Sequence, residues 1–130
     1  MKTLKLLLLI LTSVILVSFT RMKIQFEFCS MMHHGTFKYG NLDDEVTFTI
    51  KGKHHVEYHD NGKYYIKSKI DWVNECEYNM TMKKITLPNF PYHPGDVMNV
   101  RIDSIENKLI YYTAKVKNMS WNGTMIKIAE

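Results

Sequence analysis

From His34 onward, apolar and polar residues alternate with a period of two in short runs interrupted by Gly, Asn, Asp and Pro. Successive side chains of an extended strand point to opposite faces, so each run has one face to bury and one to leave in water. Strands are expected over residues 35–39, 45–51, 54–59, 64–72, 76–85, 97–105, 109–117 and 123–128. Val46, Phe48 and Ile50 share a face of the second run, and Tyr64, Ile66, Ser68, Ile70 and Trp72 share one of the fourth. In the fifth, Cys76, Tyr78, Met80 and Met82 oppose Glu77, Asn79, Thr81 and Lys83. Asp60-Asn61-Gly62-Lys63 is a hairpin signal, because Asn-Gly readily takes the positive φ angles of a tight turn. Pro88, Pro91, Pro94 and Gly95 mark one long irregular loop. Eight short strands with mostly tight connections predict an all-β fold, a small antiparallel up-and-down barrel of lipocalin-like form. Closure would remove exposed strand edges; a two-sheet β-sandwich is the alternative.

The amino terminus carries a different pattern. Lys2 and Lys5 precede an apolar run from Leu6 to Phe19, broken only by Thr12, Ser13 and Ser18. At 14 residues the run is shorter than the roughly 20 that span a bilayer, so residues 1–20 read as a cleaved signal peptide. No permanent membrane span is expected after cleavage, and the mature protein is placed outside the cytoplasm, secreted or periplasmic. Residues 21–33 then form an amino-terminal segment, and 34–130 a single barrel domain. Loss of Lys2 and Lys5 leaves 15 basic against 13 acidic residues, a net charge of +2. Arg21 and Arg101 are the only arginines, and the lysines are dispersed, so the concentrated basic patch of a nucleic-acid partner is missing. Cys29 and Cys76 read as a disulfide in an exported chain, worth about 4 kcal/mol in the chain-entropy model. Two separate buried thiols are the other arrangement open to them.

Three groups of residues bear on function. His55, Glu57 and His59 alternate onto one strand face, a spacing that presents two imidazoles and a carboxylate to a metal such as zinc. That face carries no apolar residue and is expected on the solvated outer surface. Tyr64, Ile66, Trp72 and Tyr78 lie on inward faces, where they either fill the core or border a site for a small apolar ligand. Met80, Met82, Met98 and Met125 would add compliance to that interior. Phe90 and Tyr92, in the proline loop, suggest exposed surface for an envelope protein partner. No nucleophile elbow, zinc-protease helix, phosphate loop or dinucleotide fingerprint is present, so neither enzymatic activity nor a cofactor is expected.

Two segments, taken together, resemble a group of small secreted proteins of unknown function typical of the Bacteroidota. They are Cys29 followed by Gly35-Thr36-Phe37-Lys38-Tyr39, and Ile70-Asp71-Trp72-Val73-Asn74-Glu75-Cys76-Glu77-Tyr78. The group is similar to C-x5-G-x-F-x-[FY] followed by I-x-W-x-x-[DE]-C-E-Y, and the resemblance implies that the two cysteines belong together. This chain has Met32 and His34 where the group often has Phe and Thr, and it lacks the lipoprotein cysteine of many members. Some members carry the transferred label DNA topoisomerase IV. Strand passage requires a nucleotide site, an acidic metal cluster, a DNA-linking tyrosine and several hundred residues, which 110 exported residues do not supply.

Overall fold

Eight strands follow one another around a closed barrel in the computed structural model, which describes residues 29–40 and 45–130. They are β1 (His34–Tyr39), β2 (Thr47–Lys51), β3 (His54–His59), β4 (Tyr64–Asn74), β5 (Glu77–Ile85), β6 (Val97–Glu106), β7 (Leu109–Val116) and β8 (Met119–Ala129). Each pairs antiparallel with the next, and β8 returns to β1, which excludes the two-sheet sandwich. The expected signal peptide, and the amino-terminal segment as far as residue 28, lie outside the described residues.

The alternation does what its period requires. Val46, Phe48 and Ile50, then Ile66, Ser68 and Ile70, then Tyr78, Met80 and Met82 are buried, while their neighbours along each strand are more exposed. At the β3–β4 hairpin, Asn61 (φ 53°) and Gly62 (φ 86°) take positive φ, and the Lys63 N–H donates to the Asp60 carbonyl at 3.1 Å. Strand β8 starts at Met119, ahead of the expected 123, because Lys117 adopts φ 51° and the chain reverses within two residues. Met119 then pairs with Val116, and Ser120 with Lys115.

Closure between β1 and β8 depends on Gly35. Its φ of 122° suits glycine, and a Cβ there would lie 2.7 Å from the Ala129 carbonyl oxygen. The register of the seam shifts just beyond, between Thr36 and Phe37.

Up-and-down order puts the β2–β3, β4–β5 and β6–β7 turns at one end, together with a 3-10 turn over Ser30–His33. This end is plugged. Cys29 is disulfide-bonded to Cys76, at the β4–β5 turn, with an S–S distance of 2.01 Å. Met32 is fully buried in the core cluster. The His33 ring stacks on Trp72 at 3.8 Å, and the His33 carbonyl accepts a hydrogen bond from the Gly52 N–H at 3.3 Å. The opposite end carries the long connection between β5 and β6. There the Gly95 N–H donates to the Met82 carbonyl at 2.8 Å, and the Met82 N–H donates to the Asp96 carbonyl at 3.0 Å. Lys117 reaches the Asp96 carboxylate at 2.9 Å, tying this loop to the β7–β8 turn. Among the described residues no helix is long and apolar enough to cross a membrane.

Candidate functional site: an apolar cup with a buried carboxylate

The two ends of the barrel are filled differently, and the difference creates a cavity. Toward the plugged end, Ile50, Ile70, Ile102 and Ile110 close the interior. Toward the long loop a cavity of about 250 Å³ remains. Its aliphatic wall includes Ile66, Met80, Met82, Met98, Val100 and Met125. Ala114 contributes only a methyl group to the wall, which leaves room where a larger residue would fill it. Gly123 stands directly opposite Tyr112 across the β7–β8 pair, and a Cβ at Gly123 would lie 2.5 Å from the Tyr112 hydroxyl oxygen. The glycine therefore lets the Tyr112 ring lie against the wall instead of projecting into the space. Phe90 and Tyr92, packed edge to face with centroids 5.4 Å apart, bring the long loop over the same cavity.

One side of the cavity is polar, and here the structure corrects the sequence reading. His55, Glu57 and His59 do not lie on a solvated outer surface: His55 is 1% exposed, and the Glu57 and His59 side chains are 16% and 18% exposed. The tight β2–β3 turn sets the register, placing His55 opposite Ile50 and Glu57 opposite Phe48, so the polar face of β3 must share the inward side of β2. Val56 lies on the other face of the strand, opposite Thr49 and Lys67.

Hydrogen bonds make the buried carboxylate tolerable. The Tyr39 hydroxyl donates to Glu57 Oε2 at 3.1 Å, and His59 Nε2 lies 2.6 Å from Glu57 Oε1. An ionised carboxylate only accepts, so His59 Nε2 carries the shared proton. Burial alone would raise the Glu57 pKa, but the hydrogen bonds from His59 and from the Tyr39 hydroxyl favour the carboxylate, and the pKa lies below the ordinary value. Burial raises the Tyr39, Tyr78 and Tyr112 phenols, and the Glu57 charge adds to the rise in each. All three stay neutral around one anion. His55 faces the opposite pressure: burial lowers its pKa to about 4 against a weaker opposing pull from Glu57, so its imidazole is neutral. Its Nδ1 has no hydrogen-bond partner, nor has the Oγ of Ser68, which stands directly across β3–β4 from it.

The residues expected to border a ligand separate. Ile66 and Tyr78 line the cavity. Trp72 does not; it belongs to the plugged end, stacked on His33, with its indole N–H donating to the Gly52 carbonyl at 3.3 Å. Tyr64 is half-buried next to the β3–β4 hairpin, with Lys63 Nζ 5.1 Å from its ring centroid, and is not part of the cavity wall. Phe90 and Tyr92, expected to offer exposed surface, are half-buried and face the cavity. Sequence reasoning missed Tyr39 and Trp121 as wall residues; the parity of β1 held the signal for Tyr39. Among the described residues, no group of three His, Cys, Asp or Glu side chains is arranged to hold a metal ion. His59 is engaged with Glu57, and His55 packs on the Phe48 ring with centroids 5.0 Å apart.

Comparison with protein-family models, with curated proteins and with solved structures gives no match to this chain.

Proposed function

We propose that the barrel is a carrier for a small, largely apolar molecule, acting without catalysis in a secreted or periplasmic setting. The observation that carries this reading is the asymmetry of the interior: one end packed solid behind a disulfide-held plug, the other left hollow behind an aromatic loop. A barrel that needed only stability would gain by filling that space, since unfilled apolar volume costs about 24 cal/mol per Å³. The cavity lies between the roughly 150 Å³ that accommodates benzene and the 300 Å³ or more typical of drug-sized ligands, so the ligand has about ten non-hydrogen atoms. The disulfide suits an oxidising compartment, as does the apolar run behind Lys2 and Lys5.

Isothermal titration with 1-octanol, a chain of suitable size, tests the reading. One saturable site is expected in the native protein, with at least about a tenfold loss of affinity in an Ala114→Phe variant whose ring occupies the cavity. An affinity unchanged in that variant would place the site elsewhere, and an absence of binding to the native protein would remove the reading.

A further inference from the structure

We infer that the ligand of this cavity carries a protonated amine at one end of its apolar body, and that Glu57 is the residue that receives it. The inference rests on the carrier reading above and deepens it. Three observations converge on the charge of the guest. First, among the described residues Glu57 is the only one of the Asp, Glu, Lys and Arg side chains to line the cavity, and no described lysine or arginine reaches it. A guest carboxylate would therefore meet an anion in a poorly solvated space, which repels it, whereas an ammonium would find a counter-ion there.

Second, the wall around that carboxylate is aromatic. Tyr39, Tyr78, Tyr112 and Trp121 border the cavity from the strands, and Phe90 and Tyr92 from the loop. Aromatic faces are electronegative, and several converging on one space attract a cation with energies that grow as water is excluded. A purely aliphatic ligand has no use for this arrangement.

Third, the polar side of the cavity has unused hydrogen-bonding capacity. Among the described residues Glu57 Oε1 and Oε2 each have one partner, His59 and Tyr39, and each carboxylate oxygen accepts about two hydrogen bonds. His55 lines the same cavity as a nearly buried imidazole, but its unpartnered Nδ1 is itself closed off, so the capacity open to a guest is that of the carboxylate. A primary ammonium has three N–H donors and no acceptor, which matches a recess whose carboxylate oxygens still have lone pairs to offer. A neutral alcohol satisfies the same recess less well, with one donor and no charge.

The test uses the native, disulfide-bonded protein and four probes of one chain length at pH 7: octylamine, 1-octanol, octanoate and octane. Octylamine is expected to bind about tenfold more tightly than octanol, the increment of one charge-assisted hydrogen bond, and octanoate more weakly than either. In Glu57→Gln the preference for octylamine over octanol should fall to about threefold or less, with octanol binding retained as the sign that the barrel is intact. Octanol and octanoate binding as well as or better than octylamine would overturn the inference while leaving the carrier reading standing. Failure of all four probes would overturn both. The ranking on the native protein needs no variant, so a Glu57→Gln chain that does not fold leaves the decision unaffected.

Discussion

Burial keeps the His55 imidazole neutral, with a pKa near 4 against an ordinary 6.5, and its Nδ1 has no partner. Phe48 lies against its ring, Ser68 stands across from it on β4, and Glu57 is the charged group that it feels. The unfolded chain therefore takes up a proton at higher pH than the folded one. Stability is full above about 6.5 and falls as the pH drops toward 4, by about 3 kcal/mol from this residue. Glu57 adds a second acid limb at lower pH. Its folded pKa is depressed below 4.5, so its contribution is present above that value and is lost as the pH falls through the folded value. In a His55→Leu variant, urea unfolding at a series of pH values should show the upper limb flattened. The midpoint at pH 7 should rise by the equivalent of about 1–3 kcal/mol, because an unpaired buried nitrogen is removed. A pH profile identical to the native one would place the acid sensitivity in other groups.

Among the elements, the amino-terminal turn is the one whose role is most sharply defined. Met32, the Cys29–Cys76 bridge and the His33–Trp72 stack together seal one end of the barrel. A Cys29→Ala/Cys76→Ala double variant should lose about 4 kcal/mol in denaturant unfolding, the loop-closure value for a separation of 47 residues. A loss below about 1 kcal/mol would mean that packing alone holds the plug. The strands themselves were legible because their buried faces alternate cleanly, as Phe48 with Ile50 and Met80 with Met82 do. Strand β8 was legible only in its second half, since Ser120 and Asn122 have the composition of a turn. Strand β3 misled for a more instructive reason. Its inward residues are His55, Glu57 and His59 and its outward ones include Val56, so composition alone inverts the strand. The pairing of Lys51 with His54 across a two-residue turn is what forces His55 to the side of Ile50. Turn length, read together with the apolar face of β2, contained that answer; residue type did not.

At the scale of the molecule, a chain of this size leaves a cavity unfilled and places a carboxylate beside it, both at a cost to stability. Such features support the proposal that a guest occupies the space, and the plug at the far end makes the barrel a cup with one open end. Trp72 and Tyr64 show why the site itself was only half legible. Both face inward by parity, as Ile66 and Tyr78 do, but position along the strand decides which end a side chain serves, and parity says nothing about that. The methionines offer the most direct test, because they sample both ends. With methyl-13C methionine and 1-octanol, the Met80, Met82, Met98 and Met125 resonances should shift along one saturation curve, while Met32 in the plug and the exposed Met119 stay in place. Shifts confined to Met119 or Met32, or no saturable shift at all, would contradict the account of this barrel as a carrier.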